Sequence, residues 1–284
     1  MAIGSSKRTT PTAQESRIHT HLSQSHDPVK GRQLHATAPM KTGDVLMVDP
    51  AYAVIPVVDD PLDSDEVICS NSDCRRRVPR HTDNTRGVSR IGCPNRCVDE
   101  VVWCDMVCRE GDVARHELEC AWLKRYAGVV RRAEGGYYFG VLWMIVRALV
   151  ARYLELQQIP TNTNAKPKDI FSSGWTAMAE LCDNRSLWPK EDLLEWKSLV
   201  EKYFGKDPST LQSILLSPDN ILTLICQQES NSFGLYPRAT GLSSTSDRGE
   251  QYGAAIFPRS SIANHSCCPN VGPSPEPNTN GNEW

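Results

Sequence analysis

Cysteine and histidine residues that could bind a metal are concentrated in one part of the chain. Seven of the 11 cysteines lie between residues 69 and 120, and one histidine joins them near the end of that window. The eight residues form four closely spaced pairs, namely Cys69 with Cys74, Cys93 with Cys97, Cys104 with Cys108, and His116 with Cys120. Thiolate and imidazole are ligands that zinc prefers, and four protein ligands leave no position open for water. The window therefore predicts two zinc ions with a structural role.

Two alternatives to zinc binding remain open for these cysteines. Free cysteines could occur by chance, although chance rarely produces regularly spaced pairs. Disulfides would need an oxidising compartment, but residues 1–27 are polar and contain no apolar core of a secretory signal. We therefore expect reduced thiols and a nuclear or cytoplasmic protein. Cys69 and Cys74 are the least regular pair, because their spacing is the widest and a long polar stretch separates them from Cys93.

Helical periodicity indicates how the last ligands are positioned. His116 and Cys120 are four residues apart, about one helical turn, so on a helix their side chains point to the same face. Residues 109–123 have the composition of such a helix. A longer helical segment is predicted for residues 121–240. Apolar residues recur there at spacings of three and four in residues 137–154, 193–203 and 211–228, the last interrupted at Pro218.

The most apolar stretch of the chain lies within that helical segment. Residues 139–154 are interrupted by Arg147 and Arg152 and are fewer than the ~20 apolar residues that a bilayer requires. This stretch therefore predicts a buried helix and not a membrane anchor.

The regions on either side of the helices have sequence patterns that are typical of strands and loops. Short apolar runs alternate with turn residues in residues 28–66, and a similar pattern returns in residues 241–271. Residues 1–27 are predicted to be a disordered leader, and residues 272–284 a disordered tail rich in Pro, Asn and Gly.

The charge balance argues against a nucleic-acid partner. The formal net charge is −3, and nine arginines between residues 69 and 120 are balanced by nine carboxylates. The basic run at residues 75–77 is interpreted as a solvated loop. Direct DNA binding is therefore not expected.

The order of the four pairs, with Trp103 immediately before Cys104, resembles the MYND zinc finger. The resemblance implies an interleaved arrangement, in which the first and third pairs bind one zinc ion and the second and fourth pairs bind the other. It also implies a surface that receives protein or peptide partners.

A second motif lies near the end of the chain, at residues 264–270. Its sequence, Asn-His-Ser-Cys-Cys-Pro-Asn, could form an ordinary turn, but it resembles the NHSCxPN signature of SET domains, which transfer a methyl group from S-adenosylmethionine to lysine. Residues 31–36 resemble the first SET motif, with Gln33 where a second glycine is usual, and residues 231–233 resemble the Asn-x-Phe element. The resemblance implies that the cofactor pocket involves Gly31, Arg32, Asn231, Ser261, Asn264 and His265.

Together these motifs resemble the SET and MYND domain family of protein-lysine methyltransferases. The implied fold is α+β: an incomplete, β-rich SET domain interrupted by a MYND double-zinc finger and a helical insert. The implied order is a leader (1–27), an N-terminal SET part (28–66), the finger (69–120), the helical insert (121–240), the SET core with NHSCxPN (241–271) and a tail (272–284). The implied activity is S-adenosylmethionine-dependent methylation of lysine in histones or other proteins.

Two groups of the family pattern have no counterpart in this sequence. SET enzymes take a catalytic tyrosine from the segment after NHSCxPN, and the last tyrosine here is Tyr252. The family also builds a third zinc site from the cysteine at position 267 and later cysteines, and none follows Cys268. We therefore expect a truncated and catalytically incomplete chain. The alternative is a non-enzymatic adaptor that binds proteins through the finger.

Overall fold

The computed structural model describes residues 17–57, 66–74, 76–79, 90–157, 171–205, 210–236, 251–266, 268 and 270–272. Across these residues, α-helices are combined with small antiparallel sheets, which confirms the predicted α+β class in this general form. None of the described helices has both the length and the apolar character that crossing a bilayer requires.

The N-terminal strands form two antiparallel pairs. Strand β1 (Arg17–Ile18) pairs with β4 (Met47–Val48), and β2 (Leu22–Asp27) pairs with β3 (Gly31–Ala36). The disordered leader predicted for residues 1–27 is therefore wrong from residue 17 onward, while residues 1–16 lie outside the described residues. Strand β2 was not predicted because its sequence, Leu-Ser-Gln-Ser-His-Asp, is mostly polar. Most of its side chains are exposed, and its backbone pairs with β3.

A tight turn fixes the register of this hairpin. The carboxylate of Asp27 accepts hydrogen bonds from the amides of Val29 and Lys30, each at 2.8 Å. Gly31 follows with a φ of 73°, a left-handed conformation that glycine adopts without the steric cost of a Cβ. The same residue begins the first SET-like motif, so the turn and the motif share one glycine.

The described residues of the cysteine-rich region form two small hairpins followed by helices. Its elements are β6 (Glu66–Ile68), β7 (Arg77–Pro79), β8 (Ile91–Gly92), β9 (Val102–Trp103), α1 (Met106–Gly111) and α2 (Val113–Ala133). Strand β6 pairs with β7, and β8 pairs with β9. Helix α2 passes through the predicted boundary at residue 120, so the last two candidate ligands and the start of the helical region lie on one continuous helix.

Four further helices pack beyond the cysteine-rich region: α3 (Gly136–Gln157), α4 (Gly174–Ala179), α5 (Lys190–Tyr203) and α6 (Pro218–Asn231). Helix α3 is buried on all faces from Phe139 to Val150, and Arg147 is the charged side chain within this apolar span. Helix α6 begins at Pro218, where the sequence predicts an interruption. Proline suits the first turn because it has no amide to leave unpaired, and Ser217 caps the helix through Asn220.

A three-stranded antiparallel sheet joins distant parts of the chain. Strand β11 (Gly253–Ile256) lies between β10 (Ser232–Leu235) and β5 (Ala53–Pro56). The segment before the cysteine-rich region and the two segments after the helices therefore form one sheet. Ala53 and Ile55 of β5 share one continuous apolar cluster with most buried apolar side chains of the cysteine-rich region and the helices, while Val54 packs in a smaller second cluster with Ile68 and Ala255.

Candidate functional site

The first and third cysteine pairs meet in a single cluster. Cys69 follows β6 and Cys104 follows β9, and these strands are held together because the amide of Ser70 donates to the carbonyl of Val102 at 2.7 Å. Cys108 lies in α1, where its amide donates to the capping carboxylate of Asp105 at 2.8 Å. The four ligand atoms, from Cys69, Cys74, Cys104 and Cys108, all lie within 4.8 Å of one another.

The second and fourth pairs form the other cluster. A tight turn links Cys93 to Cys97, with Arg96 in a left-handed conformation and its amide donating to the carbonyl of Cys93 at 3.0 Å. Helix α2 supplies His116 and Cys120 from one face. The Nε2 atom of His116 lies 3.1 Å from the Sγ of Cys93 and 3.7 Å from that of Cys97. These four ligand atoms also lie within 4.8 Å of one another.

The dimensions of both clusters fit zinc. Zinc–sulfur bonds of about 2.3 Å in a tetrahedron place neighbouring sulfurs about 3.8 Å apart. The Sγ atoms of Cys74 and Cys104 are 3.6 Å apart, those of Cys104 and Cys108 3.3 Å, and those of Cys93 and Cys120 3.6 Å. Two clusters of this composition and size fit two zinc ions. The grouping is the interleaved one that the MYND resemblance implies.

Electrostatics also favours a cation in the second cluster. Burial, followed by the nearby sulfurs of Cys93 and Cys120, raises the pKa of the Cys97 thiol well above its usual value. Burial acts against ionisation of Cys93 too, but hydrogen bonds from Cys97 and His116 outweigh it and bring the pKa of Cys93 to about 7. Three thiolates cannot share this buried space at neutral pH without a positive charge among them. A divalent cation supplies that charge.

A buried ionic group supports the second cluster, and sequence reasoning missed it. The carboxylate of Glu119 is fully buried and lies 3.1 Å from Nδ1 of His116. Asp112, Arg115 and Arg147 complete the group. The signal available in the sequence was the spacing of Glu119, which stands three residues after His116 on the same helix face. Its partner Arg147 lies on another helix and could not be assigned from spacing.

The cofactor-motif residues lie in two contacting pairs. The side-chain amide of Asn264 donates to the carbonyl of Arg32 at 3.2 Å, and the hydroxyl of Ser261 lies 3.2 Å from the carbonyl of Asn231 and 2.8 Å from that of Phe257. Gly31 precedes Arg32, and His265 follows Asn264 with an exposed side chain. Positions 267 and 269 of the NHSCxPN-like motif, and with them the third-zinc expectation for Cys267, lie outside the described residues.

Helix α4 and the end of α6 hold these pairs in place. The guanidinium of Arg32 lies 3.3 Å from the Glu180 carboxylate and donates to the carbonyl of that residue at 2.5 Å. The side-chain amide of Asn231 donates to the carbonyls of Cys182 at 2.8 Å and Gln227 at 2.7 Å. The helical region therefore supports the residues that the SET resemblance places at the cofactor.

Comparison with known proteins finds N-lysine methyltransferases of similar sequence. The chain is 27% identical over 250 residues to the human N-lysine methyltransferase SMYD2, an alignment that covers 86% of this chain and 46% of the relative. The Bos taurus protein of that name gives the same figures, and the Sus scrofa protein is 26% identical over 248 residues. No protein-family model matches the chain. The chain spans about half the length of the curated relatives it matches. These relatives and the two Cys/His clusters confirm its resemblance to the SET and MYND family.

Proposed function

We propose that this chain contributes the zinc finger and the cofactor-binding edge of an S-adenosylmethionine-dependent protein-lysine methyltransferase of the SET and MYND type. The observation that carries the proposal is the contact between Asn264 and Arg32, which are 232 positions apart. They belong to two separate SET-like motifs, and the fold that joins them also builds both metal clusters. The relatives named as N-lysine methyltransferases support the same activity.

The cofactor would lie against Gly31, Arg32, Asn231, Ser261, Asn264 and His265. When bound, it supplies a methyl group on a positively charged sulfur. Gly31 suits a close approach, because among the described residues no atom beyond its two chain neighbours lies within 4 Å of the position where a Cβ would stand. The bond from Asn264 to Arg32 fixes the backbone next to that open space. Because methyl transfer to lysine needs an aligned neutral amine, the rigidity of this edge contributes to positioning.

The two metal clusters would have a structural role in this protein. Each offers four protein ligands, so no coordination position is left for water or substrate. Their contribution is to order a polar segment and to join it to the helices. The reduced thiols that zinc requires suit a nuclear or cytoplasmic protein.

The finger would also contact protein partners. Three apolar side chains on α1 and the start of α2 are exposed: Met106 (47%), Val107 (37%) and Val113 (50%). These exposed side chains favour a second candidate function, in which the chain is a non-enzymatic adaptor that binds peptides. In the enzyme, the same side chains would help to recruit the lysine-containing substrate.

Calorimetric titration of purified residues 1–284 with S-adenosylmethionine tests the cofactor-binding edge. We expect saturable binding that Asn264→Ala weakens and that Asn220→Ala, at an exposed position on α6, leaves unchanged. Equal binding by both variants, or no binding by the wild-type chain, would refute the assignment. Transfer of a tritiated methyl group from S-adenosylmethionine to protein substrates by the same protein separates the enzyme from the adaptor. Peptide capture without transfer would favour the adaptor.

A further inference from the structure

A buried carboxylate connects the second metal cluster to helix α3. Glu119 lies on α2 between His116 and Cys120 and is fully buried. Its Oε1 atom lies 3.1 Å from Nδ1 of His116, while the Nε2 atom of that ring faces Cys93 and Cys97. One ring nitrogen is therefore directed at the metal position and the other at Glu119. A carboxylate in this place fixes the tautomer and orientation of a zinc-binding histidine and makes it a stronger ligand.

The other oxygen of Glu119 faces helix α3. It accepts hydrogen bonds from the indole of Trp143 at 2.9 Å and from Nε of Arg147 at 3.1 Å. Arg147 is 2% exposed, and the positive charge of its guanidinium is opposed by this carboxylate. The two helices are therefore joined at the metal cluster by charge as well as by apolar packing.

Arg147 carries the connection onward to the sheet. Its guanidinium also donates to the backbone carbonyl of Val54 in β5. Strand β5 pairs with β11, which pairs with β10. Asn231 immediately precedes β10, and the segment that carries Ser261 and Asn264 follows β11. A continuous set of contacts thus leads from His116 to the sheet beside the cofactor motifs.

The buried charges in this group balance, so removing one of its residues would leave an opposite charge unpaired. Arg115 lies 2.6 Å from Glu119 and donates to Asp112 at 2.6 Å, and Asp112 accepts from the indole of Trp103 at 2.8 Å. Two cations and two carboxylates are balanced in a space shielded from solvent. If His116 moved away from Glu119 on metal loss, the remaining contacts of that carboxylate would have to rearrange.

We propose that Glu119 is a positioning residue that couples zinc binding at the second cluster to the packing of helix α3 and strand β5. Loss of zinc from this cluster would then loosen the sheet next to the cofactor motifs. The inference rests on the proposed function, since it requires zinc at that cluster.

Zinc competition with a chromogenic chelator tests the positioning role. We expect Glu119→Gln to lower the zinc affinity of the second cluster by about 10- to 100-fold, because glutamine lacks the negative charge that makes His116 a stronger ligand. Glu117→Gln makes the same change two residues away at an exposed position and should leave the affinity unchanged. Cobalt substitution adds a spectroscopic readout: only the Glu119 variant should alter the absorption of the site with three sulfurs and one nitrogen. Equal affinities and spectra in the two variants would overturn the proposal.

Hydrogen exchange on the wild-type protein tests the coupling even if the Glu119 variant fails to fold. Stepwise removal of the second zinc should accelerate exchange at Ala53, Val54 and Ile55 more than at the β2–β3 hairpin. An equal response of strand and hairpin would overturn the coupling. A wild-type protein that binds no zinc would instead refute the proposed zinc finger itself, so the two failures can be distinguished.

Discussion

The Sγ atoms of Cys74 and Cys104 lie 3.6 Å apart, although 30 positions separate them in the chain. Between them in sequence stand Cys93 and Cys97, which belong to the other cluster. The ligands of the two metal sites therefore alternate along the chain. Each site forms only when two segments that flank ligands of the other site come together. This arrangement joins the eight ligand residues between positions 69 and 120 into one unit.

Paired substitutions test the interleaving. Cys74→Ser combined with Cys104→Ser should remove one zinc ion, because both residues belong to one cluster. Cys74→Ser combined with Cys97→Ser should remove both ions. Native mass spectrometry counts the metals directly. If the clusters followed sequence order, the two double variants would show the opposite pattern.

Zinc affinity should fall as the pH falls. Burial first, and then the neighbouring sulfurs, raise the pKa of Cys97, so its thiol holds a proton at neutral pH when no metal is bound. Zinc must displace that proton, and a higher proton concentration opposes binding. Calorimetric titration between pH 6 and pH 8, in buffers of different ionisation enthalpy, measures the protons released. Affinity that does not depend on pH would contradict the displacement of a thiol proton by zinc.

Replacement of Arg147 by methionine should strongly destabilise the fold. Arg147→Met leaves the buried Glu119 charge with one cation fewer, and breaking a buried ion pair costs about 3–5 kcal/mol. Arg132→Met, at an exposed position on α2, should change the free energy of unfolding by less than about 0.5 kcal/mol. Urea unfolding with zinc present measures both variants. Similar losses for the two would show that the buried charge is unimportant.

Alanine at position 31 should destabilise the hairpin turn more than asparagine does. Gly31→Ala places a side chain on a left-handed backbone, which costs about 1–2 kcal/mol, whereas asparagine tolerates this conformation better. Because the added Cβ would meet no atom of the described residues within 4 Å, its two chain neighbours aside, the cost should come from the backbone alone. Amide exchange in the β2–β3 hairpin should accelerate at least about fivefold in the alanine variant and less in Gly31→Asn. Equal acceleration in both would remove the conformational argument.

The sequence was most informative where spacing is local. The position of His116 and Cys120 on one helix face, the buried helix around residues 139–154 and the interruption at Pro218 follow from periodicity and from the chemistry of proline. The interleaved grouping did not follow from spacing, because four pairs can be combined in several ways. It came from the resemblance to a known finger.

Features that depend on contacts between separate elements were beyond sequence reasoning. Strand β2 is polar and becomes a strand because β3 supplies its hydrogen bonds. Glu119 looks like one more acidic residue on α2 until the fold brings Arg147 against it. The same holds for the bond between Asn264 and Arg32, since each motif suggests a pocket but only the fold brings the two together.

Metal analysis combined with zinc X-ray absorption tests the central claim most directly. The structure predicts two zinc ions per chain, with an average shell of seven sulfurs and one nitrogen shared between two four-coordinate sites. A folded, reduced protein that holds a single zinc ion, or none, would contradict it.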